Sequence, residues 1–174
     1  ILLGAGALTP AADAVTRARR LRPDDPDYAN TAALILEHAG RPDDAVAAWR
    51  QLLVSAPDHA DAWFNLGRVA LAAREHDEAL RCFLRAVELK PRWGDAYRNL
   101  GVACFQHGDA AGAEEAFKAA LRCNPQDRDS LQNLARLRQD ADDVATAQRL
   151  YAAALALAPD GATALRAALA MPIF

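Results

Sequence analysis

Residues 60–93 read ADAWFNLGRVALAAREHDEALRCFLRAVELKPRW, and the 34 that follow, 94–127, read GDAYRNLGVACFQHGDAAGAEEAFKAALRCNPQD. Aligned without a gap, both place an aromatic ahead of Leu-Gly: Trp63, Leu66 and Gly67 in one, Tyr97, Leu100 and Gly101 in the other. Both then carry an alanine (Ala79, Ala113), a phenylalanine (Phe83, Phe117), a second alanine (Ala86, Ala120) and a proline (Pro91, Pro125). The register extends over the chain. Prolines recur at Pro23, Pro57, Pro91, Pro125 and Pro159, and alanines at Ala11, Ala45, Ala79, Ala113 and Ala147. A bulky column holds Val15, Trp49, Phe83, Phe117 and Tyr151, and a fourth column Ala18, Leu52, Ala86, Ala120 and Ala154. A fixed period of this length marks a repeat architecture.

Within each copy the alanine, the bulky residue four places on and the small residue three beyond it share one face of a helix with about 3.6 residues per turn. That face is predicted to be buried. Small residues let two helices approach while the ring fills the space between them, and proline, which cannot donate to the preceding turn, ends the second helix. Gly67 and Gly101 sit in an upstream helix, where they let a neighbour come close.

The pattern resembles the tetratricopeptide repeat: Trp-x-x-Leu-Gly-x-x-Tyr, then Ala-x-x-x-Phe, then Pro. The third copy, 128–161, keeps Leu131, Leu134, Ala135, Ala147, Tyr151, Ala154 and Pro159, whereas 26–59 has Ala29, Ala32 and Ala33 at the signature sites of its first helix. The resemblance implies an all-α fold, a right-handed α-α superhelix or solenoid of tandem helix-turn-helix units. The expected organisation is a single array over 1–174: a partial repeat at 1–25, full repeats at 26–59, 60–93, 94–127 and 128–161, and a partial capping helix at 162–174. Thr9 and Pro10 read as an N-cap and first-turn pair, and Pro172 interrupts the last helix.

Composition agrees. The chain of 174 residues is 52% apolar but only 6% aromatic, so its hydrophobic mass is mostly alanine and leucine, strong helix formers. Valine and isoleucine are sparse and no Asn-Gly or Gly-Gly hairpin turn occurs, which argues against strands. A net charge of −3 lacks the basic excess of a nucleic-acid or anionic-membrane binder. The longest apolar run, 151–158, is far short of the roughly 20 residues that span a bilayer. Three cysteines neither pair evenly nor form Cys-x-x-Cys, so a reducing, cytoplasmic compartment is expected.

Little in the chain points to chemistry. His38, His59, His76 and His107 form no metal-ligand pattern. Cys104 and His107 lie one helical turn apart, but Cys104 takes the place of the signature tyrosine and reads as a buried packing residue. Cys123 reads the same way, and Cys82 as more exposed, with nothing basic enough around it to activate a thiolate. Gly4, Gly6, Gly40 and Gly108 read as helix ends or turns, not a phosphate loop. Ser55 and Ser130 lack the partners of a hydrolase triad. The acid pairs Asp24-Asp25, Asp43-Asp44 and Asp142-Asp143 fit helix starts. No catalytic residue, metal or cofactor is expected, and the chain reads as a non-enzyme.

The family places first helices on the inner, concave wall, so binding residues should be first-helix positions that packing does not require. Asn65, Asn99 and Asn133 form such a column, with Thr31 in register. An amide both donates and accepts, so a ladder of them suits an extended peptide of unspecified sequence. Solvation of a helix is the bland alternative. Asn30, Leu34, Phe64, Arg68, Arg98, Val102, Phe105, Gln106, Gln132, Arg136 and Gln139 complete the candidate groove, Phe64 and Phe105 as apolar anchors or as packing rings. Asp27, Asp61, Asp95 and Asp129 stand near first-helix starts, where carboxylates are favoured. Pairing with Arg68, Arg98 and Arg136 would leave a groove of mixed charge, unlike the lysine and asparagine clamp by which some family members hold acidic tails.

The expected partner is a protein or peptide, not nucleic acid or membrane. Two alternatives are carried forward. Residues 165–173 are similar to the segment that leads from repeats into the catalytic domain of bacterial SPINDLY-type, O-linked N-acetylglucosamine transferase-like proteins, which implies a substrate-recruiting array within a larger glycosyltransferase. Separately, the apolar start Ile1, Leu2, Leu3 would favour self-association through an exposed repeat end.

Overall fold

The computed structural model of the chain describes residues 25–157, and within them contains eight α-helices and no strand. The expectations placed on 1–24 and 158–174, including the apolar start, the partial repeats and the transferase-like segment, lie outside the described residues. The fold is the all-α, tandem helix-turn-helix class. Its helices are α1 (Pro26–His38), α2 (Pro42–Ser55), α3 (Ala60–Ala72), α4 (His76–Leu89), α5 (Gly94–His107), α6 (Ala110–Cys123), α7 (Arg128–Asp140) and α8 (Val144–Ala156).

They fall into two compact units, one ending at Lys90 and the other starting at Pro91. In the first, α1 pairs with α2 and α3 with α4, and α2 packs on α3. In the second, α5 pairs with α6 and α7 with α8, and α6 packs on α7.

Local chemistry sets the helix ends. The Asp25 carboxylate accepts from the Asp27 N–H at 3.1 Å, Asp109 from Gly112 N–H at 2.9 Å and Asp143 from Thr146 N–H at 3.2 Å, each satisfying a donor that its helix leaves unpaired. His59 does the same for α3, its Nδ1 accepting from Ala62 N–H at 3.1 Å. The second helices stop one step earlier than a missing proline donor would require. Ala56, Lys90 and Asn124, the residues before Pro57, Pro91 and Pro125, have φ of −133°, −128° and −141°. The proline ring excludes the preceding residue from the helical region, so the termination acts through that residue.

Inside each hairpin the turn carries one residue at positive φ: Gly40 (77°), Arg74 (63°), Gly108 (91°) and Asp142 (58°). The four are 34 residues apart. The conformation is conserved through the array while its residue type is not.

The repeated columns form the core. Ala45, Ala79, Ala113 and Ala147 are buried, as are Trp49, Phe83 and Phe117 in the bulky column. In the first unit Trp49, Leu52 and Leu53 of α2 cluster with Ala33 of α1 and with Ala62 and Leu66 of α3. Trp63 adds a bond from its Nε1 to the Pro57 carbonyl at 2.8 Å, which fixes the start of α3 beneath the end of α2.

Two cysteine readings reverse. Cys82 is buried at 2% exposure, against the more exposed position expected of it, and Cys123 is exposed rather than packed. Cys82 precedes Phe83 on the inner face of α4, where its Cβ comes within 3.0 Å of the position a Gly67 Cβ would take. Cys123 is the final residue of α6. Burial, with a smaller contribution from the Glu78 charge, pushes the Cys82 thiol up to about 12, and burial also raises Cys104. Both therefore stay protonated and screened at neutral pH. A thiol-reactive chromogenic disulfide should modify one cysteine per native chain, Cys123, and three after urea unfolding; rapid modification of a second in the native state would contradict the burial.

Candidate interaction surface

The candidate residues stand on the first helices, and the two units treat them differently. In the unit ending at Lys90, polar groups are turned inward. Asn30 Oδ1 accepts from Trp49 Nε1 at 2.9 Å and from Asn65 Nδ2 at 3.1 Å, joining α1, α2 and α3. Asn65 is buried, and the network uses one of its two amide N–H donors. Arg68 pairs with Glu37 of α1 at 2.5 Å. Phe64 is half-buried, its ring 5.8 Å from that of Phe83 and tilted by 60°, an edge-on packing geometry.

In the unit starting at Pro91 the same register is more open. Asn99 is half-buried, and its Nδ2 donates back to the Asp95 carbonyl of its own helix at 2.8 Å, as the Thr31 hydroxyl does to the Asp27 carbonyl. That bond uses one amide hydrogen and leaves the carbonyl oxygen of Asn99. Asn133 is half-buried without a hydrogen-bond partner among the described residues, and Gln132 beside it is exposed. Arg136 lies over the Phe105 ring, 4.9 Å from its centroid, so that α5 and α7 share a cation–π contact. Arg136 is exposed, and a guanidinium carries N–H donors suited to carboxylates and carbonyls.

Three of the four aspartates in the column have a polar partner, and the partners are mostly not those expected. Asp27 faces His59 Nε2 at 3.1 Å, Asp61 pairs with Lys90 at 2.6 Å, and Asp95 with Arg98 at 2.8 Å. Of the three arginines expected to pair with this column only Arg98 does so; Arg68 uses Glu37 and Arg136 uses Phe105. Arg98 also donates to Asp127 at 2.9 and 3.1 Å, and Asp127 accepts from the buried Ser130 hydroxyl at 2.5 Å. Burial would lower the Arg98 pKa, but the bond to Asp127 and the charges of Asp127, Asp95 and Asp129 outweigh it and raise it further. Arg98 is therefore committed to holding α5 against the start of α7.

Sequence columns missed the Asn30, Trp49, Asn65 network because Asn30 and Asn65 are 35 apart, one residue off the repeat. They also missed Glu37 and Ser130. Among the described residues no group of three or more His, Cys, Asp or Glu is placed to hold a metal ion, and no helix is long and apolar enough to cross a membrane.

Comparison with known proteins agrees with this geometry. The family model described as tetratricopeptide repeat matches residues 1–48, 30–92 and 70–128. No curated protein sequence gives a significant match. Among solved structures, a crystal structure of MamA is 20% identical with a TM-score of 0.79, covering 94% of this chain and 99% of that one. MamA from Desulfovibrio magneticus RS-1 is 24% identical with a TM-score of 0.76, covering 87% and 86%. PilF of Pseudomonas aeruginosa is 22% identical with a TM-score of 0.77, covering 92% and 78%. At these identities the likeness is one of fold.

Proposed function

The chain belongs to the tetratricopeptide repeat family, and on that premise we propose that it is a non-catalytic interaction module whose first helices hold an extended peptide or a partner helix. The observation that carries this reading is the contrast within the asparagine column. Asn65 is buried and tied to Asn30, whereas the half-buried Asn133 and Asn99 and the exposed Arg136, which stands over Phe105, retain hydrogen-bonding capacity. Amides that can donate and accept suit a peptide backbone, and an aromatic platform under a guanidinium suits an alternating apolar and polar ligand.

The experiment is selection of peptides from a random displayed library on the full chain, followed by affinity measurement against an Asn99→Ala, Asn133→Ala, Arg136→Ala variant. The variant should bind selected peptides about tenfold or more weakly, the loss expected for two or three net hydrogen bonds. Its stability should fall by only about 0.5–1 kcal/mol, the worth of one exposed cation–π contact, because these groups carry little of the core. Equal affinity for the two proteins would remove the ladder. Asn65→Ala serves as the contrast, since its effect should fall on stability.

A further inference from the structure

The residue just ahead of each described first helix stands in one column, Asp25, His59, Trp93 and Asp127, 34 residues apart. A carboxylate in that place ordinarily stays ionised well below neutral pH, whereas an imidazole changes charge between about pH 5 and 8. Among the described first helices, α3 is therefore the one whose cap answers to mild acid.

We propose that His59 is an acid-sensitive joint, which in its neutral form caps α3 and ties it to α1, and which lets go of both when its ring takes up a second proton. Two bonds carry the inference. Nδ1 accepts from the Ala62 N–H at 3.1 Å, and Nε2 faces Asp27 Oδ1 at 3.1 Å. Nδ1 accepts only while it bears no hydrogen, so the ring is the neutral tautomer that donates from Nε2 to the carboxylate. A proton added at Nδ1 sets one donor against another and places a positive charge at the positive end of α3. The Asp27 charge opposes this, but its side chain is 85% exposed and its attraction is screened by water, whereas the His59 side chain is only 8% exposed. The ring is relieved by withdrawing, and both bonds end together.

The surroundings keep the change local. From α1 the ring meets Asp27, with Asp25 behind it accepting the Asp27 N–H; Asp58 and Asp61 flank the ring on its own segment, and Asp61 holds Lys90 at the end of α4. From α2 the neighbour is the Ala56 carbonyl, which accepts from the His59 N–H at 3.2 Å and does not titrate. The Ala62 N–H also reaches the His59 carbonyl at 3.2 Å, so it keeps a partner when the imidazole leaves. Two further links join α1 to α3, Asn30 with Asn65 and Glu37 with Arg68, and neither holds an imidazole. In mild acid the seam opens at its start and stays tied beyond.

Nuclear magnetic resonance of the full chain tests this at two points. At about pH 7.5 the imidazole nitrogen shifts of His59 should show hydrogen on Nε2 and none on Nδ1. Amide exchange at Ala62 and Trp63 is then compared with that of His59→Asn, a capping residue that does not titrate, at matched pH so that intrinsic exchange rates cancel. The ratio of wild-type to variant protection should fall about fivefold or more between about pH 7.5 and about pH 5.5, with α7 and α8 unchanged. Hydrogen on Nδ1 at the higher pH, a ratio that holds or rises in acid, or a loss shared by α7 and α8 would overturn the proposal.

Discussion

Gly101→Leu is expected to cost at least about 3 kcal/mol and to unfold the α5 and α6 hairpin first, with Gly101→Ala an intermediate case and Gly67→Ala close to neutral. The order follows from two opposed terms. An alanine in a helix interior gains about 1 kcal/mol over glycine in propensity, while overpacking a filled core costs about 1–3 kcal/mol. At Gly67 the nearest atoms to a new Cβ are Cys82 Cβ and the edge of Phe83, both at 3.0 Å, a contact that a shift of a few tenths of an ångström relieves. The two terms there nearly cancel.

At Gly101 three carbons of the Phe117 ring lie at 2.6, 2.7 and 2.9 Å, and that ring is itself fully buried. Phe83 is as buried as Phe117, so the shorter distances decide: at Gly101 the shift required is larger than a packed ring can make, and overpacking wins. Leucine adds atoms along the same line and enlarges the clash. Urea unfolding followed by circular dichroism gives the order, and hydrogen exchange gives the location, since repeat arrays lose structure locally. Gly101→Ala as stable as Gly67→Ala would mean that Phe117 is not held where its burial places it.

The same comparison shows what could be read from the sequence. Helix pairing was legible because packing repeats residue types: alanine at Ala45, Ala79 and Ala113, rings at Trp49, Phe83 and Phe117, and proline after each second helix. The hairpin turns were only half legible. Positive φ recurs at Gly40, Arg74, Gly108 and Asp142, and only the glycines announce it. The asparagine column was legible as a column but not as a site, because Asn65, Asn99 and Asn133 share a register and have three different fates. Those fates depend on what stands across the helix pair. Asn30 answers Asn65 in the first unit, and no described side chain answers Asn133 in the second. A contact of 35 residues is invisible to a search for 34.

Trp49→Ala is the other large effect, expected to cost about 3–5 kcal/mol because it empties a fully buried site that Ala33, Leu52, Ala62 and Leu66 cannot collapse to fill. Trp49→Phe tests the polar part separately. It keeps most of the ring volume and removes the 2.9 Å bond to Asn30 Oδ1, yet that oxygen still accepts from Asn65 at 3.1 Å. The loss should be about 1 kcal/mol, a net hydrogen bond with no acceptor stranded. Asn65→Ala alone should behave alike, since Trp49 then remains as donor.

Combining Trp49→Phe with Asn65→Ala takes both donors from one part-buried oxygen, and stranding an acceptor costs more than losing one of two bonds. The double variant should therefore fall below the sum of the single ones by about 1 kcal/mol in a urea-unfolding cycle. Strict additivity would mean that water reaches Asn30 when the donors leave. The asparagine pair would then act as a wet surface contact, not as the pin between α1 and α3 that its geometry indicates.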